Sequence, residues 1–470
     1  MHIPGFKDRT VAVFGLGQSG LAVARALSES GAVVLAWDDS GARRTQAVEA
    51  GIVLGNLYAR DWRDISTLVL SPGVPLTHPE PHGIVKLARA AGAEIIGDVE
   101  IFQRALAEDD SDAALVGITG TNGKSTTTAL IGHMVSACGG EGIVGGNIGR
   151  PILSLPEPHS GAVYVIEVSS YQIDLAPGFA PKIGILLNIT PDHIDRHGSF
   201  SHYASVKARL FDHMGRGETA IINVDDEASA EICTEVIARR GPCVVPISTR
   251  RALGRGVYVI DGVLYENLGA HAVRVGDLKP LRNLAGAHNW QNAAAAYAAG
   301  RTLGFERDDI LEAFSSFPGL AHRMELICDR DDVSFVNDSK ATNAEAAAKA
   351  LSTYENIFWI VGGQAKDGGI DSLASYFPRV QRAYLIGEAA ETFARTLDGD
   401  VAYRQCGTLE QAVAEARKDA AAETGLGKRV VLLSPACASF DQFPNFEARG
   451  DAFRRAILGD VARDQGGAAA

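Results

Sequence analysis

The stretch 117–126 reads Gly-Ile-Thr-Gly-Thr-Asn-Gly-Lys-Ser-Thr, follows an apolar run and opens a segment of helical spacing. Successive backbone N–H groups in such a turn form a nest for phosphate oxygens, and the helix dipole adds to it. Lys124 is placed to reach terminal phosphates, and the hydroxyl of Ser125 or Thr126 to ligate Mg²⁺. The spacing departs from GxxxxGK[ST]: Ile118 stands five residues before Gly123, and the nearest glycines are Gly117 and Gly120. This is a variant ATP loop, with Gly120, Thr121, Asn122 and Gly123 at its turn. A chance GKST turn is the bland alternative; the agreement of strand, loop and helix speaks against it.

A second loop, Gly15-Leu16-Gly17-Gln18-Ser19-Gly20, also lies between an expected strand and helix, and Asp38 ends the next strand 23 residues after Gly15. That is GxGxxG in the context it needs, with an acidic residue placed to bond a ribose. Read alone, it points to NAD. The motif does not separate NAD from another diphosphate ligand, nor from a turn that merely packs helix on strand. A chain with both loops is no simple dehydrogenase, because ATP hydrolysis must drive something.

Other polar residues fall at strand ends, where open α/β sheets bind ligands. Glu167 closes the run 163–167, a position suited to Mg²⁺. Asp192-His193 follows another strand, and a role beside Mg-phosphate suits it. His193 and His197 are four apart, but without HExxH and with Asp192 and Asp195 alongside, zinc is disfavoured. Asn289 and Asn292 share a helix face and can address one ligand or cap. Arg323, in His-Arg-Met-Glu at 322–325, could reach back into a cleft and neutralise a phosphoryl group. Asp338 opens a polar strand-to-helix turn. Cys437, in a similar turn, has no partner His in a recognised arrangement, which argues against a catalytic thiol.

These residues need a scaffold, and the chain has the pattern for one. Short β-branched runs alternate with Ala/Leu-rich helical stretches, the pattern of βαβ units. Strands are expected at 10–14, 32–37, 67–70, 114–119, 162–168, 183–187, 219–224, 333–336, 357–361, 383–386 and 429–433. Helices are expected at 19–30, 125–137, 200–214 and 288–303, and a β-hairpin insertion in 254–275, with Asp261-Gly262 at its turn. A length of 470 residues predicts about three domains, with boundaries at the acidic linker 108–112 and at Pro318-Gly319. The expected division is 1–108, 109–318 and 319–470. The fold class is α/β: a Rossmann-like N-terminal domain, a central P-loop ATPase-like domain with a parallel sheet and a small β insertion, and a Rossmann-like C-terminal domain. The net charge of −13 disfavours nucleic-acid binding. Six scattered cysteines without CxxC fit a reducing compartment. No secretory signal or membrane span is expected, so the expected place is the cytoplasm and the expected state a monomer.

Taken together, these motifs resemble the Mur ligases, the ATP-dependent amide-forming enzymes of peptidoglycan synthesis. Beside TGTNGKST stand GGNIG at 145–149, EVSSYQ at 167–172, DHIDRHG at 192–198, HRME at 322–325, DSKATN at 338–343 and SPACASFDQFPNFEARG at 434–450. The resemblance extends over nearly the whole chain. It implies that ATP phosphorylates the carboxylate of UDP-N-acetylmuramoyl-L-alanine and that the amine of D-glutamate displaces the phosphate. Lys124, Ser125 and Arg323 match the family's phosphate-handling positions, and Glu167 and His193 its metal site. Lys207 matches the lysine that these ligases carbamylate. Asn289, Asn292 and Asp338 match ATP contacts and Asn147 a contact to the muramoyl substrate. Gln18, Ser19, Asp38 and Gly73 would hold uridine diphosphate, and Thr342, Lys366, Ser439 and Phe446 the D-glutamate. Closure of the domains should assemble the site. A folylpolyglutamate synthase is a near alternative that the first glycine loop disfavours. An NAD oxidoreductase with a regulatory ATP domain and a non-catalytic nucleotide-binding scaffold are alternatives of other classes.

Overall fold

The computed structural model describes residues 1–466 apart from Asp110, Ala285, Lys366, Asp367 and Thr424; the side chains of Arg282 and of 460–466 are also outside the description. The chain forms two compact units, Met1–Phe317 and Pro318–Ala470.

The first unit holds two sheets. Strands β1 (Thr10–Phe14), β2 (Val33–Trp37), β3 (Ile65–Leu70) and β4 (Glu94–Ile96) form a parallel sheet in the order β2-β1-β3-β4. The second sheet is built from β5 (Ala114–Thr119), β6 (Glu141–Gly146), β7 (Ala162–Glu167), β8 (Ile183–Leu186), β9 (Thr219–Asn223), β10 (Cys243–Ser248), β11 (Gly256–Ile260), β12 (Val263–Asn267) and β13 (Val273–Asp277). Its order is β13-β12-β11-β10-β9-β8-β5-β7-β6. The parallel body reads as apolar runs because helices cover both faces. The expected hairpin insertion is a three-stranded extension instead: β11 pairs parallel with β10, and β12 and β13 follow antiparallel. Asp261 (φ 47°) and Gly262 (φ 75°) make the positive-φ turn between β11 and β12.

The helix Ala287–Thr302 is buried from Asn292 to Gly300. Its alanines let it lie close to the helix Lys124–Ala137; a Cβ on Gly300 would stand 2.8 Å from the Met134 sulfur. The helix expected over 200–214 stops at Ala208 and tightens into a 3₁₀ turn, Arg209–Phe211. That turn sends Leu210 and Phe211 into the core, Phe211 below β8, where Gly184 leaves room for its ring.

One apolar core joins the two sheets of this unit. It runs from Ile3 and Phe6 through Val99 and Phe102 to Tyr164, Tyr203 and Val236. The rings of Phe102 and Tyr164 lie 5.3 Å apart, and the Gly97 N–H donates to the Leu175 carbonyl at 2.7 Å.

In the second unit, β14 (Glu325–Arg330), β15 (Val333–Asn337), β16 (Ile357–Gly362), β17 (Val380–Ile386), β18 (Tyr403–Gly407) and β19 (Arg429–Leu433) form one sheet, in the order β14-β15-β19-β16-β17-β18. Only β14 is antiparallel, paired with β15. The expected first strand of this unit is therefore its second. Side chains such as Trp359 on one face and Phe453 on the other fill the core, each burial worth about 1.5–3 kcal/mol.

Candidate functional site

The phosphate loop sits at the carboxyl end of β5. Register sets Ile118 opposite Glu167 on β7 and Thr119 opposite Leu186 on β8. The helix Lys124–Ala137 begins after Gly123, which has φ 86° and offers no side-chain cap, so its first N–H groups face outward for an anion. A Cβ on Gly123 would come within 2.3 Å of the Asn292 Oδ1. Asn292 accepts from the Thr127 hydroxyl (3.2 Å) and donates to the Asn289 Oδ1 (3.2 Å). The two asparagines expected to share a face thus bond to each other and back the loop.

A second amide shapes the loop and carries no spacing signal. Asn188, just after β8, accepts from the Asn122 N–H (2.8 Å) and donates to the Asn122 carbonyl (3.1 Å) and the Gln291 Oε1 (2.8 Å). Thr121 is pinned likewise: its N–H donates to the Asn188 carbonyl (2.8 Å), and its hydroxyl lies 3.1 Å from that of Tyr203.

Two lysines meet at one carbonyl. Lys124 Nζ donates to Gly120 O and Thr121 O, both at 2.9 Å, and Lys207 Nζ donates to Gly120 O at 3.0 Å and Thr119 Oγ1 at 3.3 Å. Lys207 is 1% exposed, with its Nζ 4.7 Å over the Tyr203 ring. Burial, reinforced by the Lys124 charge, holds its ammonium well below the usual lysine range, against the pull of Asp192 and Glu167. Lys207 therefore has a neutral amine at lower pH than an exposed lysine.

Glu167 is buried. Its Oε1 accepts from Asn147 Nδ2 at 2.8 Å, whereas its Oε2 is buried without a hydrogen-bond partner. A bare carboxylate oxygen is costly unless something binds it. With the Ser125 hydroxyl on the helix that opens at the same loop, these oxygen donors fit a hard divalent cation. His193 is exposed at φ 53°, its Nε2 3.4 Å from Asp192 Oδ2 and its ring 5.1 Å from Tyr171. His197 faces inward: Nε2 lies 2.9 Å from Ser170 Oγ, the ring stacks on Tyr171, and burial lowers its pKa to about 4. The histidine pair is thereby split, and no cluster of three metal-ligating His, Cys, Asp or Glu occurs among the described residues.

At the other loop of this unit, Gly15 has φ 92°, and a Cβ on Gly20 would meet the Gly15 carbonyl at 1.8 Å. A Cβ on Gly17 would meet nothing within 4 Å. The helix Gln18–Glu29 starts beside it with no side-chain cap and with Gln18 exposed. The asymmetry suits a loop whose inner glycines close the turn and whose middle glycine faces a ligand. Asp38 is turned to the loop itself: Leu16 N–H donates to its Oδ2 (2.7 Å) and Ser40 N–H to its Oδ1 (2.8 Å). Ser19 bonds the wholly buried Asp98, to which Gln172 also donates at 3.4 Å. Gly73 is exposed, and its carbonyl accepts from Arg196 at 3.1 Å, so the 192–198 segment is tied to the first sheet's loops.

The second unit gathers the other set. Asp338 is buried; it accepts from Ser434 Oγ (2.8 Å) and the Met324 N–H (3.1 Å), and burial pushes it up to about 7. His322 is buried, with Nδ1 3.0 Å from Asn337 Nδ2, while Arg323 is exposed. The Phe446 ring lies 6.4 Å from that of His322, and the Phe446 carbonyl accepts from Ser339 Oγ at 2.8 Å. Thr342 is half-buried and Ser439 buried, each on a loop beyond a strand end. Lys366 lies outside the described residues. Cys437 is buried, and its thiol is pushed up to about 12, which removes it as a nucleophile.

A dinucleotide-type loop, a variant phosphate loop and a third α/β sheet in one chain define an ATP-dependent ligase of the Mur type. The chain belongs to the Mur ligase family. Residues 9–97 match the Mur ligase MurD-like N-terminal domain, 118–300 the Mur ligase middle domain, and 322–437 the Mur ligase glutamate ligase domain. It is 53% identical over 459 residues to the UDP-N-acetylmuramoylalanine–D-glutamate ligase of Caulobacter vibrioides strain NA1000/CB15N, covering 97% of each chain. It is 52% identical over 464 residues to the ligase of the same name from Rhizobium meliloti strain 1021, covering 99% of this chain and 98% of that one. In fold it is similar to the crystal structure of UDP-N-acetylmuramate-alanine ligase from Thermotoga maritima, with TM-score 0.54 at 17% identity over 96% of this chain and 99% of that one.

Proposed function

We propose that this chain is an ATP-dependent ligase that joins D-glutamate to UDP-N-acetylmuramoyl-L-alanine in peptidoglycan precursor synthesis. The observation that carries the reading is near-full-length identity above 50% to relatives bearing that name. Among the described residues no helix is long and apolar enough to cross a membrane, which is consistent with work in the cytoplasm on water-soluble substrates.

The reaction divides into two steps. The alanyl carboxylate attacks the γ-phosphorus of ATP, giving an acyl phosphate and ADP. The amine of D-glutamate then adds to the acyl carbon, loses a proton, and the tetrahedral intermediate expels inorganic phosphate. Both steps need positioning and charge neutralisation more than a protein nucleophile. The N–H groups of 123–126, at the uncapped helix start, cradle phosphate, and Lys124, now on two loop carbonyls, exchanges them for phosphate oxygens. Arg323 adds positive charge, while Asn289, Asn292 and Asp338 hold the nucleotide.

Ser125, Glu167 through its bare Oε2, His193 and Lys207 as a carbamate would hold Mg²⁺. Mg²⁺ supplies charge neutralisation at the phosphates when bound. The neutral Lys207 amine attacks the carbon of CO₂ and sheds one proton to solvent, so a neutral amine becomes an anionic ligand. The loop 15–20 with Gln18, Ser19, Asp38 and Gly73 takes the uridine diphosphate, and Asn147 touches the muramoyl part. Thr342, Lys366, Ser439 and Phe446 take the amino acid, within a 319–470 domain that follows a 1–108 substrate domain and a 109–318 ATP domain.

The test is phosphate release from ATP and Mg²⁺ with UDP-N-acetylmuramoyl-L-alanine and each of D-glutamate, L-glutamate, glycine, L-alanine, L-lysine and meso-diaminopimelate. Release with D-glutamate alone is expected. Release with another amino acid would keep the chemistry and change the substrate; silence with all of them would refute the reading.

A further inference from the structure

Asp98 is a carboxyl group buried where two substrate-bearing segments of the first unit meet. It opens the helix Asp98–Glu108 and is 3% exposed. Its partners are neutral donors from three segments: the Val99 N–H in its own helix (3.0 Å), the Ser19 hydroxyl, and the side-chain amide of Gln172 (3.4 and 3.5 Å). Burial pushes its pKa up, and these donors only partly oppose that. A buried carboxyl paired with neutral donors alone is costly. An apolar side chain would spare that cost, though it would leave the Ser19 hydroxyl and the Gln172 amide bare.

The donors show what the carboxyl holds. Ser19 is in the first turn of the helix Gln18–Glu29, which starts at the glycine loop 15–20. Ser71 secures that loop from β3, its hydroxyl donating to the Gly15 carbonyl at 2.7 Å, and Ser19, Ser71 and Asp98 line one small pocket. Gln172 is 2% exposed, in the first turn of the helix Ser170–Asp174. Its Oε1 accepts from the N–H and the hydroxyl of Ser169, both at 3.1 Å, so its NH₂ is what it can offer Asp98. Ser169 comes two residues after Glu167, whose carbonyl accepts from the Asn147 N–H at 2.9 Å. Gly97 sets the spacing: a Cβ there would stand 2.9 Å from the Leu175 Cβ, so the chain entering Asp98 is pressed on the end of the same short helix. One carboxyl therefore joins the first glycine loop to the segment that bears Glu167.

We propose that Asp98 is a positioning residue for the nucleotide-sugar substrate: it holds the diphosphate loop, through Ser19, in register with the Glu167 segment, through Gln172. The inference rests on the proposed function, because that reading places the uridine diphosphate at the loop and the muramoyl part at Asn147, the partner of Glu167. The role needs an acceptor on both sides. A carboxylate accepts from the hydroxyl and the amide at once; an amide of the same shape accepts on one side and turns a donor toward the other.

The test measures KM values by phosphate release for Asp98→Ala, for Asp98→Asn and for Asp98→Asn combined with Gln172→Glu, after thermal unfolding shows which variants are folded. The combined variant keeps one buried carboxylate, exchanges donor for acceptor across the contact, and still offers the Ser169 N–H an acceptor. Expected is a rise in KM for UDP-N-acetylmuramoyl-L-alanine of about tenfold in Asp98→Ala and roughly fivefold in Asp98→Asn, returning to within about twofold of wild type in the combined variant. KM for ATP and for D-glutamate should stay within about twofold in all three. An unchanged KM for the nucleotide sugar, equal rises for all three substrates, a loss confined to kcat, or a combined variant no better than Asp98→Asn would overturn the proposal. If Asp98→Ala does not fold, Asp98→Asn and the combined variant decide by the same criteria. Failure of all three to fold would overturn it too, since Asp98 would then serve the fold and not the substrate. A wild-type enzyme silent toward D-glutamate would instead refute the underlying function, so the two failures are told apart.

Discussion

Lys207 shows how little of a residue's chemistry its sequence neighbourhood reveals. In 203–210 it stands as a solvated lysine on an amphipathic helix, and only the family resemblance singled it out. The fold buries it against Thr119, Gly120 and the Tyr203 ring, contacts made by residues more than 80 positions apart or by an aromatic one turn back. If it works as a carbamate, Lys207→Ala should lose activity by about 10²–10³-fold, the usual scale for a lost charge-stabilising group. Acetate or formate should restore part of it by filling the anionic place; a rate indifferent to added carboxylate would leave the carbamate without support. Asp338 tests burial at the same scale through stability. Its folded-state pKa of about 7 lies above the ordinary value near 4, so the folded state favours the protonated form. The sign follows from linkage: below about pH 4 the site costs nothing, the penalty grows as pH rises to about 7, and above that it is constant. Asp338→Asn keeps an acceptor for the Met324 N–H and a partner for Ser434. The variant should be more stable than wild type at pH 8, by at most about 4 kcal/mol at roughly 1.4 kcal/mol per unit, with the gap closing toward pH 4. Denaturant melts at several pH values measure the gap, and a pH-independent gap would contradict the burial argument.

At the scale of elements, the glycine loops were the most legible features, because only a few residue types allow their backbone. Gly15, Gly20, Gly120 and Gly123 all stand where a Cβ would strain the chain or strike a neighbour. Gly17 is the exception, and it yields a paired prediction. Gly20→Ala drives a Cβ into the Gly15 carbonyl, so the loop must shift; it should cost about 1–3 kcal/mol of stability and weaken the first substrate. Gly17→Ala meets nothing, at an ordinary φ of −70°, so its melting temperature should match wild type while KM for UDP-N-acetylmuramoyl-L-alanine rises about tenfold. An unchanged KM in Gly17→Ala would show that the loop's open face does not meet the diphosphate. Buried central strands such as β5, β8, β15 and β19 read clearly as apolar runs. Strands with wet faces did not. In β18 only Cys406 is buried, β6 begins Glu141-Gly142, and β14 carries Glu325, Asp329 and Arg330, so none presents such a run. Residues that act by bracing turns were equally silent: Asn188 became visible only with its backbone partners.

Over the whole molecule, the three domains that the sequence suggested match three family domains, and packing sets the first two together in one compact unit. The acidic linker after Glu108 is a composition signal, and composition does not register that apolar side chains on both sides of it share one core. Phe102 packs on Tyr164, Gly178 N–H donates to Glu100 Oε2 at 2.8 Å, and Arg196 reaches the Gly73 carbonyl. The unit Pro318–Ala470 has its own two clusters, around Trp359 and around Phe453. Two compact units imply two cooperative transitions when the intact chain is heated in a calorimeter, not three and not one. UDP-N-acetylmuramoyl-L-alanine, assigned to loops of the first unit, should stabilise that unit alone. At a hundredfold excess over Kd the linkage term is about 2.7 kcal/mol, which for a unit of this size is a rise of several degrees. The expected trace has one transition moving upward with the nucleotide substrate while the other stays in place. Movement of both by the same amount would mean that the units unfold together, and movement of only the transition belonging to residues 318–470, identified by limited proteolysis, would place the uridine diphosphate on the wrong unit.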